Sequence, residues 1–240
     1  PIRTKKYHYA ENNRFEQAAH IIEIFPRARF EFGHTYTAVV TNSLLNLSGQ
    51  PVPVITAMND LIKSILEADE VITVASLGRN AGAGGVFMAL ACDYVIAKES
   101  VVLNPHYKTL GLSGSEYHTY TLPKRVGKVM SNKLLNDALP ISVKYAQNIG
   151  MIDAVYKEDT YYENLHTFAK EKYDEEYIWN KQEELERNQQ KMQMCKKEEL
   201  EIMYPEFWKA ESKFHNLRHE FVYKICAQDT PQRLKGVGDA

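Results

Sequence analysis

The stretch Asn80-Ala81-Gly82-Ala83-Gly84-Gly85-Val86-Phe87-Met88-Ala89-Leu90-Ala91-Cys92-Asp93 decides how this chain is read. An apolar run from Val71 to Leu77 precedes it and reads as a buried strand, and a second, Tyr94 to Ala97, follows Asp93. Between the strands lie a glycine-rich turn and an apolar segment short enough for a buried helix. Such a turn leaves backbone N–H groups uncovered and adds the positive end of a helix dipole, so it can hold an anion or the oxygen of an activated carbonyl. The same glycines equally serve a tight turn or close helix–strand packing. A dinucleotide fingerprint is excluded, because the third glycine of G-x-G-x-x-G would fall on Phe87. No Gly-Lys-Ser/Thr follows, which excludes a Walker loop.

Around this turn the chain reads as α/β. Met58, Leu61, Ile62, Ile65 and Leu66 fall at amphipathic-helix spacing before the first strand. Val101 to Leu103 is a short strand ending at Asn104-Pro105, and Gly111 to Gly114 forms a second glycine turn. A helix is expected to begin at Ser115-Glu116-Tyr117, with Ser115 as its N-cap and Pro123 interrupting it. Gly127 to Leu139 reads as helix. Ser142 caps a short helix over Val143 to Asn148 that stops at Gly150, and Met151 to Tyr156 reads as a closing strand. Ile21 to Phe25 and Thr37 to Val40 are candidate strands in an irregular beginning.

After Lys157 the composition shifts. Asn180 to Tyr204 is dense in Glu, Lys and Gln, with sparse apolar positions at Leu185, Met192, Cys195 and Leu200, the pattern of a solvated helix without a coiled-coil seam. The aromatic cluster Tyr204, Phe207, Trp208, Phe214, Phe221 and Tyr223 reads as an amphipathic helix docking on the core, and Gln228 to Ala240 as a loose tail. The expected organisation is an N-terminal segment over 1–56, a core over 57–156 and a helical region over 157–240.

At 240 residues and 44% hydrophobic, the chain can bury one substantial core. Its formal net charge of -2 argues against a nucleic-acid partner. The cysteines, Cys92, Cys195 and Cys226, make neither a metal-ligand spacing nor a disulfide framework, which favours a reducing compartment. No apolar run approaches the roughly 18 residues of a membrane span, and the beginning has no signal-peptide pattern. A cytoplasmic domain with no metal, no membrane and no nucleic acid is expected.

The run from Ala57 to about Tyr156 resembles the crotonase (enoyl-CoA hydratase/isomerase) superfamily. The resemblance lies in Ala83-Gly84-Gly85, in Leu90-Ala91-Cys92-Asp93 with the strand after it, in Asn104-Pro105-His106-Tyr107, and in Ser142 to Asp153. Gly78 to Gly127, with Asn104-Pro105-His106-Tyr107-Lys108 and Gly114-Ser115-Glu116-Tyr117, is similar to the C-terminal domain of the HypX or HoxX hydrogenase-maturation factors. Ile55 to Leu61 and Arg218 to Lys224 share that likeness. It implies a spiral of ββα units followed by helices, and an acyl-CoA substrate with coenzyme A as the acyl carrier. The HypX/HoxX pattern also carries a formyl-tetrahydrofolate-binding domain and an S-N-G-I-H-L-N segment, neither of which is found here. The first oxyanion donor is therefore unassigned.

Crotonases hold a thioester oxygen between two backbone N–H groups. The resemblance makes Gly84, with Gly85 beside it, the source of one donor, exposed at the mouth of the main pocket. Ordinary hydratases place carboxylates where this chain has Phe87 and His106, which disfavours simple hydration. The HypX-like reading puts Tyr107, Glu116 and Tyr117 around a formyl group, near the Gly84 turn, with formyl-CoA broken into carbon monoxide and coenzyme A. Glu116 should then be buried with a raised pKa. On its own Glu116 reads as an acid at a helix start, Tyr107 and Tyr117 as core or rim aromatics, and His106 as a packed histidine on the substrate side. Two other functions stay open: a non-catalytic module binding coenzyme A or a protein, with the formyl-transferase part elsewhere, and a generic hydratase/isomerase. A Ser76–His106–Asp93 protease set is disfavoured, since Ser76 lies inside a strand.

Overall fold

The computed structural model describes residues 54–225, together with two short strands, β1 (Ile2–Arg3) and β2 (Phe25–Pro26), which pair antiparallel. The expectations for 21–24, for Thr37 to Val40 and for the tail after Gln228 lie outside the described residues. Residues 59–225 belong to one compact unit.

In its first helix, α1 (Val54–Leu66), Ile62 of the expected stripe is buried with Ile65 and Leu66 packed beside it, whereas Leu61 is exposed and Asn59 is buried. Then β3 (Val74–Leu77), β4 (Ala81–Gly82) and α2 (Gly84–Leu90) form one ββα unit. Next come β5 (Tyr94–Lys98), β6 (Val102–Asn104) and α3 (His118–Asp137). The last strands, β7 (Ile141–Ser142) and β8 (Ala154–Tyr156), flank α4 (Val143–Asn148). From β3 to β6 successive strands alternate between two sheets: β3, β5 and β8 make one parallel sheet, while β4, β6 and the strand after it, β7, make the other. In the second sheet β4 and β6 run parallel, and β7 returns antiparallel to β6. This alternation is the expected spiral. Asn80 turns the corner between the sheets by accepting the Val102 N–H at 2.9 Å. Val86, Phe87, Leu90, Val95, Leu103 and Leu122 are at the heart of the core.

Two local expectations are corrected. The helix begins at His118, and its N-cap is Tyr117 in the left-handed region with no side-chain cap, so Ser115 is not the cap. The break in α3 falls at Gly127 (φ 77°, ψ 161°) and not at Pro123, because only glycine takes that backbone without strain. Ser142 does cap α4, its Oγ accepting the Tyr145 N–H.

The C-terminal region comprises α5 (Tyr161–Glu171), the 34-residue α6 (Glu175–Trp208) and α7 (Lys213–Tyr223). The aromatic cluster does not dock as expected. Phe214 is buried against Phe207, with ring centroids 4.6 Å apart, but Tyr204, Trp208, Phe221 and Tyr223 stay exposed. Helix α6 is held instead by a buried ion pair: Lys181 Nζ donates to Asp93 Oδ2 at 2.7 Å and to the carbonyls of Ala68 and Val71. Asp93 also accepts the Thr73 N–H and hydroxyl, so the motif aspartate staples β5 to α6.

Removing one partner strands a buried charge, at a cost of about 3–5 kcal/mol. Asp93→Ala and Lys181→Met should each destabilise by that order in urea unfolding, and the double variant by clearly less than their sum. Additive costs would mean that the two groups act independently.

Candidate functional site

The site is built where β4 meets β6. In that register Gly82 pairs with Asn104, and the Ala83 N–H donates to the Asn104 carbonyl at 2.9 Å. The glycine turn and the Asn104-to-Tyr107 segment are thereby fastened side by side. Ala83, the N-cap of α2, is held at φ 47°, ψ −124°, a costly conformation for a residue with a Cβ. It aims the start of α2 outward. The N–H groups of Val86 and Phe87 turn back on the Ala83 carbonyl, whereas among the described residues no acceptor meets those of Gly84 and Gly85. As the first N–H groups of a helix they have no intrahelical acceptor. Asn104 Oδ1, closed off from water beside them, meets no donor among the described residues.

Tyr107 lies past Asn104, its ring stacked on Phe87 with centroids 5.3 Å apart and an interplanar angle of 19°. Its hydroxyl donates a short hydrogen bond to Glu116 Oε2. Glu116 is 2% exposed and occupies the left-handed region at φ 60°, as does Tyr117 at φ 55°. Two consecutive non-glycine residues in that region make a strained corner, which turns the Glu116 side chain inward. Gly114 makes this possible. It has φ +106°, and a Cβ there would fall 2.3 Å from Cδ2 and 2.4 Å from Cε2 of the Tyr107 ring. Burial raises the Glu116 carboxyl above the ordinary range, opposed by the hydrogen bond from Tyr107. Burial, then the Glu116 charge, raises the Tyr107 phenol far above its usual range, so it stays a proton donor.

The structure thus brings Tyr107 and Glu116 together, from separate segments, one helical turn from the glycine pair through Phe87. Tyr117 does not join them. Its ring packs with Ile62, Tyr120 and Met192 in a second apolar cluster, because neighbouring residues in the corner project in different directions. Burial pushes its phenol up to about 12. His106 is buried at the start of the segment, its N–H on the Asn104 carbonyl. A cavity of about 360 Å³ lies elsewhere, lined by Ala91, Cys92, Tyr120, Arg125 and Lys181, where α6 crosses the C-terminal end of α2. Gly84 therefore does not open on it. Ser76 bonds the Tyr161 hydroxyl at 2.7 Å and Asp93 is taken by Thr73 and Lys181, so no protease triad forms.

Three neighbours escaped the sequence reading. Asn59 Oδ1 accepts the Glu116 N–H at 3.2 Å. His118 Nδ1 lies 3.0 Å from the Ser115 carbonyl and 3.2 Å from Glu199 Oε1, two acceptors that fix a proton on that nitrogen. The Glu199 carboxylate also accepts the N–H groups of Tyr117 and Thr119. The available signal was position: Asn59 precedes buried Ile62 by one turn, and Glu199 shares the stripe of buried Met192 and Met203.

Comparison with known proteins bears on the family and the fold. The enoyl-CoA hydratase/isomerase family pattern matches residues 30–224, most of the chain. The chain belongs to the enoyl-CoA hydratase/isomerase family. Among members of this family it is similar to the hydrogenase maturation factor HoxX of Bradyrhizobium diazoefficiens, at 32% identity over 76% of this chain and 34% of HoxX. The crystal structure of HypX from Aquifex aeolicus in complex with tetrahydrofolic acid aligns with a TM-score of 0.70 and 39% identity. That match covers 75% of this chain and 34% of HypX. An enoyl-CoA hydratase/isomerase from Pseudoalteromonas atlantica, at 21% identity and a TM-score of 0.60 over 70% of this chain and 68% of its own, shares the fold. The chain spans about a third of the length of the HoxX and HypX chains it matches. The crotonase-like fold with its helical C-terminal region is thereby established. No described helix is long and apolar enough to cross a membrane.

Two outcomes follow. Gly114→Ala should cost about 3 kcal/mol of stability, from the positive φ and the collision with Tyr107, measured by urea unfolding; a near-neutral effect would mean that the ring is free to move. Glu116 sets a pH dependence. Below the ordinary carboxyl value of 4.5 the folded and unfolded states both hold the proton. As pH rises from there the unfolded carboxyl ionises first, the folded state holds more protons, and stability falls until the raised folded value is passed. Glu116→Gln removes this loss. Its stability relative to the unsubstituted protein should therefore rise from pH 4.5 toward neutrality, and parallel curves would refute the raised carboxyl.

Proposed function

We propose that this chain binds an acyl-CoA thioester and breaks formyl-CoA into carbon monoxide and free coenzyme A, in the service of hydrogenase maturation. The observation that carries this reading is the Tyr107–Glu116 hydrogen bond, its phenol ring stacked on Phe87 in the helical turn that begins with the unmet N–H groups of Gly84 and Gly85. Those donors suit a thioester oxygen, where one such contact is worth roughly 3–4 kcal/mol in a dry site. Phe87 stands where hydratases of the resemblance carry a carboxylate. Here it covers the Tyr107 ring and leaves no acidic pair to activate water.

In this reading the Glu116 carboxylate takes the proton of the formyl carbon. The C–S bond breaks with its electron pair passing to sulfur, and the carbon leaves as carbon monoxide. The proton taken up by Glu116 passes through the Tyr107 hydroxyl to the departing thiolate in one relay along their hydrogen bond, so that no phenolate forms. Atoms and charge balance without oxidant or reductant. The raised Glu116 pKa makes the carboxylate a stronger base than an ordinary one. Similarity to HoxX and HypX supports the maturation setting, and an acyl-CoA substrate follows the family.

Formyl-CoA supplied directly bypasses any formyl transfer, and released carbon monoxide is read by its complex with haemoglobin. The chain should release it, Glu116→Gln should be about 10²–10⁴-fold slower, and Tyr107→Phe should also be slower. A silent chain that still binds coenzyme A in calorimetry would replace this reading with a thioester-binding module. Hydration of crotonyl-CoA outpacing formyl-CoA cleavage would return it to the ordinary hydratases.

A further inference from the structure

Helix α6 is charged and largely solvated, yet it sends two carboxylates into the segment that carries Glu116. Glu206 accepts the Ser113 N–H at 2.8 Å and the Ser113 hydroxyl at 2.5 Å. Glu199, about 10 Å away along the same helix, accepts the Tyr117 N–H at 2.9 Å and the Thr119 N–H at 2.8 Å. It also accepts the Thr119 hydroxyl at 2.6 Å and lies 3.2 Å from His118 Nδ1. The segment is thus gripped on either side of Glu116, and Asn59 of α1 holds the Glu116 N–H between the two grips. Glu206 is partly exposed, but Glu199 is 2% exposed, a carboxylate taken out of water where a methionine would complete the apolar stripe. That burial is costly unless the acceptor sites are filled, as they are here. The partners of Glu199 are the uncapped N–H groups at the start of α3, so one side chain both caps that helix and fixes the left-handed corner before it.

We propose that Glu199 is a positioning residue for the Tyr107–Glu116 pair, holding from the C-terminal helix the corner that turns Glu116 onto Tyr107. The inference rests on the reading of that pair as the reacting site, and its test separates the two. The ionisable groups facing Glu116 are Tyr107 after β6, His118 at the start of α3 and Glu199 itself, while Asp60 of α1 and Glu67 just after it face the adjoining Tyr117. Since Glu199 is a like charge to Glu116, its neutralisation has a definite sign.

Glu199→Gln keeps one acceptor oxygen and the shape, and removes the charge; Glu199→Ala removes both. With formyl-CoA, Glu199→Ala should lower kcat about 10²-fold with KM little changed, as displacement of a reacting group by about 1 Å does. Glu199→Gln should recover much of that rate, with the pH limb of kcat moved to lower pH. Carbon-13 NMR titration of the Glu116 carboxyl should show the same downward movement in Glu199→Gln, and this readout does not require turnover. An unmoved Glu116 titration, together with an unshifted corner in a crystal structure of Glu199→Ala, overturns the positioning role. If Glu116→Gln is inactive while both Glu199 variants match the parent in rate and titration, only the present inference fails. If Glu116→Gln is fully active, or the parent is silent, the reacting-site reading fails, and the titration still decides whether Glu199 sets Glu116.

Discussion

A carboxyl group closed away from water and joined to a phenol is the constraint around which much of this structure is arranged. Neither Glu116 nor Tyr107 would be stable in that position alone, because a buried polar group without a partner loses its hydration and gains nothing. The hydrogen bond between them offsets part of this cost. The rest is spread over the surroundings: a glycine where the Tyr107 ring leaves no room for a methyl group, and a backbone corner in a conformation that side chains disfavour. Strain of this kind persists only when neighbouring contacts outweigh it, and it gathers at sites that do chemistry.

The two halves of the site obey different physics. The glycine turn offers oriented N–H dipoles on a rigid strand-to-helix junction, and its alignment with Asn104 is dictated by sheet register. The phenol–carboxyl pair sits on irregular backbone and depends on packing. Phe87 links the halves, since it belongs to the first turn of α2 and stacks on Tyr107. A ring there lowers the local polarity where a carboxylate would raise it.

Much of the fold was legible because its signals are local. The glycine turn, the Ser142 cap and the short apolar strands each follow from neighbours in sequence, and the spiral follows from their order. The pairing of Tyr107 with Glu116 was anticipated only by resemblance; no spacing rule sets a phenol on a carboxyl group nine residues later. Tyr117 was misplaced because adjacent residues in a left-handed corner diverge, and a corner without glycine leaves no mark in the sequence. Ser115 failed as a cap for a tertiary reason, since Glu199 approaches from far along the chain. That residue was hidden among exposed glutamates, and only its place on a sparse apolar stripe distinguished it. The exposed aromatics of the last helices show the opposite limit, where helical spacing describes a face without saying whether anything covers it.

The grip of α6 on the corner also bears on the order in which the molecule comes into being. Glu199 and Tyr117 are 82 positions apart, and Lys181 closes on Asp93 across 88. Contacts of such separation are entropically expensive to close and form late. During synthesis the ββα core leaves the ribosome well before the helix that secures the Glu116 corner. An emerging chain can thus bury its apolar core while the phenol and the acid are still unassembled, and the corner that joins them is secured only with the last helices.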